Sequence, residues 1–195
     1  MRKEDHRNEE TKIKLAQAFR ELSLKKGVAK VSIADITNYC HCNRNTFYYH
    51  FEDVRYLLNW MFEQDCAKVV SSLKGGDVKN LISSCIHYTQ ENRLLLKDTF
   101  ENLGSDSLNR AFAPYFEKTI GVIIEKYEAQ ENSKLDDRYR KFLTRFFCEA
   151  VGGMMLAYVR GNDGFLKHEL INDITNALDA IPLFIVKNGT SESLV

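Results

Sequence analysis

The sequence predicts an all-α protein of about nine helices, on three observations. Apolar residues recur at spacings of three and four almost throughout the chain. No stretch of any length alternates with the period of two that a strand requires. Only two prolines occur in 195 residues, and ten glycines are too few for a linker-rich or collagen-like chain.

The composition narrows the class further. With 44% hydrophobic and 28% charged residues, the chain has the make-up of a globular protein with ample core. Its 27 basic and 27 acidic residues cancel, which argues against a histone-like protein and an acidic disordered chain. No run approaches the roughly 18 apolar residues of a membrane span, so no membrane partner is expected. The amino terminus, MRKEDHRNEETK, lacks the apolar core of a signal peptide. Cys40, Cys42, Cys66, Cys85 and Cys148 are odd in number and scattered, which predicts reduced thiols and a cytoplasmic protein.

Leu15, Ala16, Phe19 and Leu22 form the stripe of a first helix that Gly27 stops. Ser32 opens the second, with Asp35 at capping-box spacing and Ile33, Ile36 and Cys40 on one face. Asn43 caps a third, short helix reaching Phe51, in which Phe47 and Phe51 face the core. The next helix runs from about Asp53 to Leu73 through Leu57, Leu58, Met61, Phe62 and Val69, and Lys74-Gly75-Gly76-Asp77 ends it. Val78, Leu81, Ile82 and Cys85 mark a fifth helix; Leu95, Leu96, Phe100 and Leu103 mark a sixth, stopped at Gly104. Leu108, Phe112, Phe116, Ile120, Ile123, Ile124 and Tyr127 form a long stripe in which Pro114 starts a new helix or kinks this one. A helix over 136–160 and another over 168–186, stopped near Pro182, follow, joined by a loop at Gly161–Gly164. Residues 188–195 are expected to be a disordered tail.

The segment from Ser32 to Phe51 has the plan of a helix-turn-helix, whose second helix enters the major groove of DNA. That helix concentrates Arg44, Asn45, Thr46, Tyr48, Tyr49 and His50 in seven positions. An arginine forks onto guanine, an asparagine onto adenine, and a threonine methyl packs on thymine, so Arg44, Asn45 and Thr46 are candidate base readers. Tyr48, Tyr49, His50, Ser32, Lys30 and Arg55 are candidate phosphate contacts, with Arg2, Lys3 and Arg7 on a flexible basic arm. Charge supports this placement. Residues 1–60 hold 11 basic and 8 acidic residues, whereas the remainder holds 16 and 19.

Ser32-Ile33, Ile36, the run Asn43-Arg44-Asn45-Thr46-Phe47-Tyr48-Tyr49-His50-Phe51 and Leu57 resemble the TetR/AcrR transcriptional regulators over roughly Thr11 to Leu57. His41 stands at the usual turn glycine, Asn45 at a common glycine, and Val54 at a usual lysine. Losing that lysine removes one phosphate contact. The resemblance implies a DNA-reading head at 1–52 and a ligand-binding, dimerising domain at 53–187. It implies a homodimer on a palindromic operator, acting as a repressor that a small effector releases. The dimer interface is expected at Phe147, Ala150, Gly153, Met154, Ala157, Ile174, Leu178 and Ile181. An apolar or aromatic effector would be lined by Trp60, Phe62, His87, Tyr88, Phe100, Phe112, Phe116, Phe146, Met154 and Tyr158.

Other classes fare less well. Cys40-His41-Cys42 is too closely spaced for a usual zinc pair and has no second pair, so no metal or cofactor is expected. No phosphate loop, serine elbow or metallohydrolase motif suggests an enzyme. The remaining alternative is a helical interaction protein of this fold with lost or altered DNA binding, motivated by His41 and Val54.

Overall fold

The computed structural model describes residues 3–71, 78–161, 164 and 166–191. Arg2, the stop at Lys74–Asp77, the Leu108 side chain, part of the 161–164 loop and residues 192–195 lie outside the described residues. Among those described, the chain forms ten α-helices. They are α1 Lys3–Lys26, α2 Ile33–Tyr39, α3 Arg44–His50, α4 Val54–Ser71, α5 Val78–Glu91, α6 Arg93–Leu103, α7 Ser105–Glu131, α8 Asp137–Arg160, α9 Lys167–Asp179 and α10 Ile181–Asn188. The all-α class read from periodicity holds.

The chain packs as two units: Met1–Cys66 with Asn92–Phe112, and Ala67–Glu91 with Ala113–Val195. The first is therefore broader than the 1–52 head, because α6 packs on α1 and on the 3₁₀ turn Val28–Lys30 that follows it. Gly27, with φ +88°, ends α1 in a conformation that favours glycine. Leu15, Phe19, Ile36, Phe47, Phe51, Leu57, Leu58 and Phe62 are the large apolar side chains this unit buries most completely. The expected basic arm is instead helical from Lys3, so Arg7 sits on α1.

In the second unit, α5 packs chiefly on α9 and also on α8. One core gathers Ile82, Ile86, Ile120, Ile124, Leu143, Val151 and Leu170. Phe147, Ile174, Leu178 and Ile181, expected at a dimer interface, are buried in this core. The outer side of α8 carries Phe142, Phe146, Ala150 and Gly153, all exposed, and half-exposed Ala157. By length and composition α8 is apolar enough to cross a membrane, with a third of that stretch buried.

Of the two alternatives at Pro114, a new helix is ruled out: α7 runs through it as one element, without the backbone bond a proline cannot donate. Two other details depart from the sequence reading. The final helix divides at Ala180, and Pro182 lies in the first turn of α10, where a missing N–H costs nothing. Residues expected to begin a tail form a short antiparallel ladder, β1 Ser133–Lys134 with β2 Thr190–Ser191. Gly189 permits that approach: a Cβ there would stand 2.2 Å from Ser133 Oγ and 2.7 Å from the Ile185 carbonyl. None of the five cysteines is in a disulfide, and burial pushes the Cys85 thiol up to about 12.

Candidate nucleic-acid interface

The site is built around two short capped helices. Ser32 Oγ accepts the Asp35 amide at 3.2 Å, and Asp35 Oδ2 accepts the Ser32 amide at 2.8 Å, the reciprocal box expected from the spacing. Lys26 Nζ reaches the same carboxylate at 2.6 Å. Lys26 first, then Ser32, holds the Asp35 carboxyl well below the usual carboxylate range. Helix α2 ends at Cys40, and the turn is closed by the Cys42 amide donating to the Thr37 carbonyl at 2.9 Å.

His41 adopts φ +52°, the left-handed conformation anticipated from its place at a turn glycine. His41→Gly is expected to stabilise the first unit by up to about 1 kcal/mol, since an L side chain is disfavoured there and glycine offsets part of the gain through unfolded-state entropy. A urea titration checks this as a higher midpoint at unchanged slope; a lower midpoint would mean that the imidazole contributes contacts of its own.

Asn43 Oδ1 caps α3, accepting the Thr46 amide at 2.8 Å and the Thr46 hydroxyl at 3.0 Å. The threonine hydroxyl is thus committed to the cap, which leaves its methyl as the group for base contact. Phe47 is fully buried and meets Tyr48 edge-on at 5.9 Å and Phe51 at 6.0 Å. Phe51 in turn meets the Trp60 ring at 5.6 Å. These anchors make α3 a rigid helix with one face inside and the other in solvent.

Arg44, Asn45, Tyr48 and Tyr49 share that open helix and are all exposed, Tyr49 to 76%. Lys30, Ser32 and Arg55 are also exposed, on the approach to α2 and the start of α4. His50 is different: it is half-buried, and its Nδ1 is enclosed without a hydrogen-bond partner. Burial and then Lys12 lower its pKa, so it is mostly neutral at pH 7 and suits a packing role better than a phosphate contact. Asp53, where the sequence places the start of α4, caps that helix: its Oδ1 accepts the Tyr56 amide at 2.7 Å. An Asp three residues before Tyr56 was the available signal. The sequence reading missed Lys12 Nζ, 5.7 Å above the Trp60 ring, a contact no local pattern announces.

The expected effector lining divides between the two units. Trp60 joins the aromatic cluster of the head through Phe51. In the same unit Phe62 and Phe112 pair at 5.6 Å, and Phe100 is half-buried. In the other, Phe116, Met154 and Tyr158 pack against the core and Tyr88 is half-buried. Phe146 lies half open on the outside of α8, and His87 is exposed, 3.3 Å from Glu91.

A family model described as a TetR-type transcriptional regulator C-terminal region matches residues 76–180. The chain is 24% identical over 168 residues to the dhaKLM operon transcriptional activator DhaS of Lactococcus lactis subsp. lactis (strain IL1403), covering 84% of this chain and 86% of that one. A solved structure of the dihydroxyacetone kinase operon activator DhaS superposes with a TM-score of 0.69 at 23% identity, covering 92% and 98% of the two chains. A TetR-family regulator from Pectobacterium atrosepticum gives 0.60 at 20% identity, covering 92% and 96%. RolR in complex with resorcinol gives 0.57 at 16% identity, covering 98% and 100%. The family model takes in more than half of the chain, and the fold agrees throughout: this protein belongs to the TetR family of transcriptional regulators.

Proposed function

We propose that the protein is a homodimeric, sequence-specific DNA-binding regulator that reads a palindromic operator with one α3 from each copy. The observation that carries this reading is α3 itself, a capped helix pinned by Phe47 and Phe51 with Arg44, Asn45, Tyr48 and Tyr49 on its open side. Arg44 and Asn45 read base edges, with the Thr46 methyl beside them. Tyr48, Tyr49, Lys30, Ser32 and Arg55 hold the backbone.

The outer face of α8 supports the dimer. Tyr139, Phe142 and Phe146 stack in sequence at 5.8 and 6.1 Å, then give way to the small residues Ala150, Gly153 and Ala157. Such a face is apolar without being covered, and small residues allow a second helix to approach. Arg145 and Glu149 pair at 2.7 Å in the middle of the helix, which suits a protein partner in water better than lipid.

In this reading the regulator is a cytoplasmic repressor released by a small apolar or aromatic effector, with Tyr88, Phe116, Met154 and Tyr158 as the lining. Resorcinol bound to RolR is an effector-sized aromatic molecule in a related fold. A second reading, activation, is favoured by the relative DhaS, which is an activator.

Selection of bound DNA from a random pool, with and without candidate effectors, tests the reading through the operator's symmetry and half-site spacing. Arg44→Ala is expected to weaken binding to the selected operator about 10- to 100-fold and to relax preference at one base pair. Transcription from a promoter bearing that operator decides between repression and activation. A wild-type protein without salt-sensitive DNA binding would leave the interaction-protein alternative standing.

A further inference from the structure

Two polar tethers join the head to α6, a helix about 70 residues away in sequence. The Arg20 guanidinium on α1 donates one terminal N–H to Asn92 Oδ1 and another to Asp65 Oδ2 on α4. Asn92 stands at the start of α6 and makes no side-chain cap there. One turn and a half further along α6, Asp98 Oδ2 accepts the amide of Val28, at the opening of the 3₁₀ turn that leads into Ser32. Asp98 is itself held: Asn102 Nδ2 donates to its Oδ1 at 2.7 Å. Gly27 lies against this carboxylate, where a Cβ would be 3.5 Å from Oδ2.

The two tethers are set apart on both sides: six residues, about 9 Å of helix, separate Asn92 from Asp98, and eight separate Arg20 from Val28. Helix α6 therefore grips α1 near its end and the chain just beyond it, at two points. Helix α1 packs on both α2 and α3. Neither Arg20 nor Asp98 belongs to the buried apolar core that folds the three-helix head, and both are half-buried charged groups.

We propose that Arg20 and Asp98 are positioning residues for DNA binding: they fix the seat of the helix-turn-helix against α4 and α6 without touching DNA. This rests on the DNA-binding reading above. With a tether gone, the head keeps its own core but loses a fixed angle, and the phosphate contacts it makes remain the same in number.

The test measures affinity for the selected operator by fluorescence anisotropy across a salt series, using the full-length protein. Arg20→Ala and Asp98→Ala are each expected to weaken binding about tenfold, as loss of a charge-assisted hydrogen bond would. The salt slope should stay that of the wild type, because it counts neutralised phosphates. Asp98→Asn, which still offers an oxygen to the Val28 amide, should restore most of the affinity. A wild type that binds while both alanine variants bind equally well overturns the proposal alone. So does a reduced salt slope, or an affinity loss that tracks loss of helical circular dichroism at the assay temperature. A wild type that binds no DNA overturns the DNA-binding reading and this proposal with it.

Discussion

Phe47→Ala is expected to remove about 3–5 kcal/mol from the first unit, the usual cost of emptying a large buried aromatic site. Phe47 has no exposed surface, and its neighbours Tyr48 and Phe51 leave a gap that cannot collapse without moving α3. A loss of that size is a large share of the roughly 5–15 kcal/mol that holds a domain together. DNA binding should disappear. Far-ultraviolet circular dichroism should retain the signal of α5 and α8 to α10, whose core lies elsewhere in the chain. Denaturant titration monitored at Trp60, which shares the Phe51 cluster, reads the same change locally. A titration indistinguishable from wild type would show that Phe47 does not anchor the recognition helix.

The second large effect concerns the outer face of α8. The pair Phe142→Glu and Phe146→Glu places two like charges on side chains 55% and 51% exposed in the subunit. The second unit should therefore fold as before, while a partner face built on those rings is lost. Analytical ultracentrifugation is expected to show a dimer for the wild type and a monomer for the double variant. Operator affinity should fall by about 10²–10⁴, because the second head no longer binds at the effective concentration set by the first. A wild-type monomer at micromolar concentration would end the dimer proposal. A dimer that survives both substitutions would place the interface elsewhere.

What could be read from the sequence was what neighbours in the chain decide. Ser32 with Asp35, and Asn43 before α3, announced their caps because capping is a contact between residues three apart. Gly27 and Gly104 marked helix ends because both take positive φ. The phase of a helix was harder. Phe146 and Phe147 are adjacent on α8, and periodicity alone did not tell which one faces in. Packing against Phe184 at 6.0 Å in the same unit puts Phe147 inside and leaves Phe146 out. Ile174, Leu178 and Ile181, buried in their own unit, show the same difficulty: an apolar stripe states that something covers it, not whether that is the same subunit or another. Contacts across long stretches of chain, such as Arg20 with Asn92 or Lys12 over Trp60, left no local trace at all.

The small ladder between Ser133–Lys134 and Thr190–Ser191 has a topological consequence. It makes the stretch that holds α8, α9 and α10 a closed circuit, beginning and ending at the same pair of backbone segments. Main-chain bonds stitch that circuit shut, with Gly189 beside them keeping the approach open. The outer surfaces of α8 and α10 are thus free to change in sequence while the loop that presents them keeps its perimeter. If the proposed dimer forms through α8, that closed loop is what holds its partner-facing surface in place.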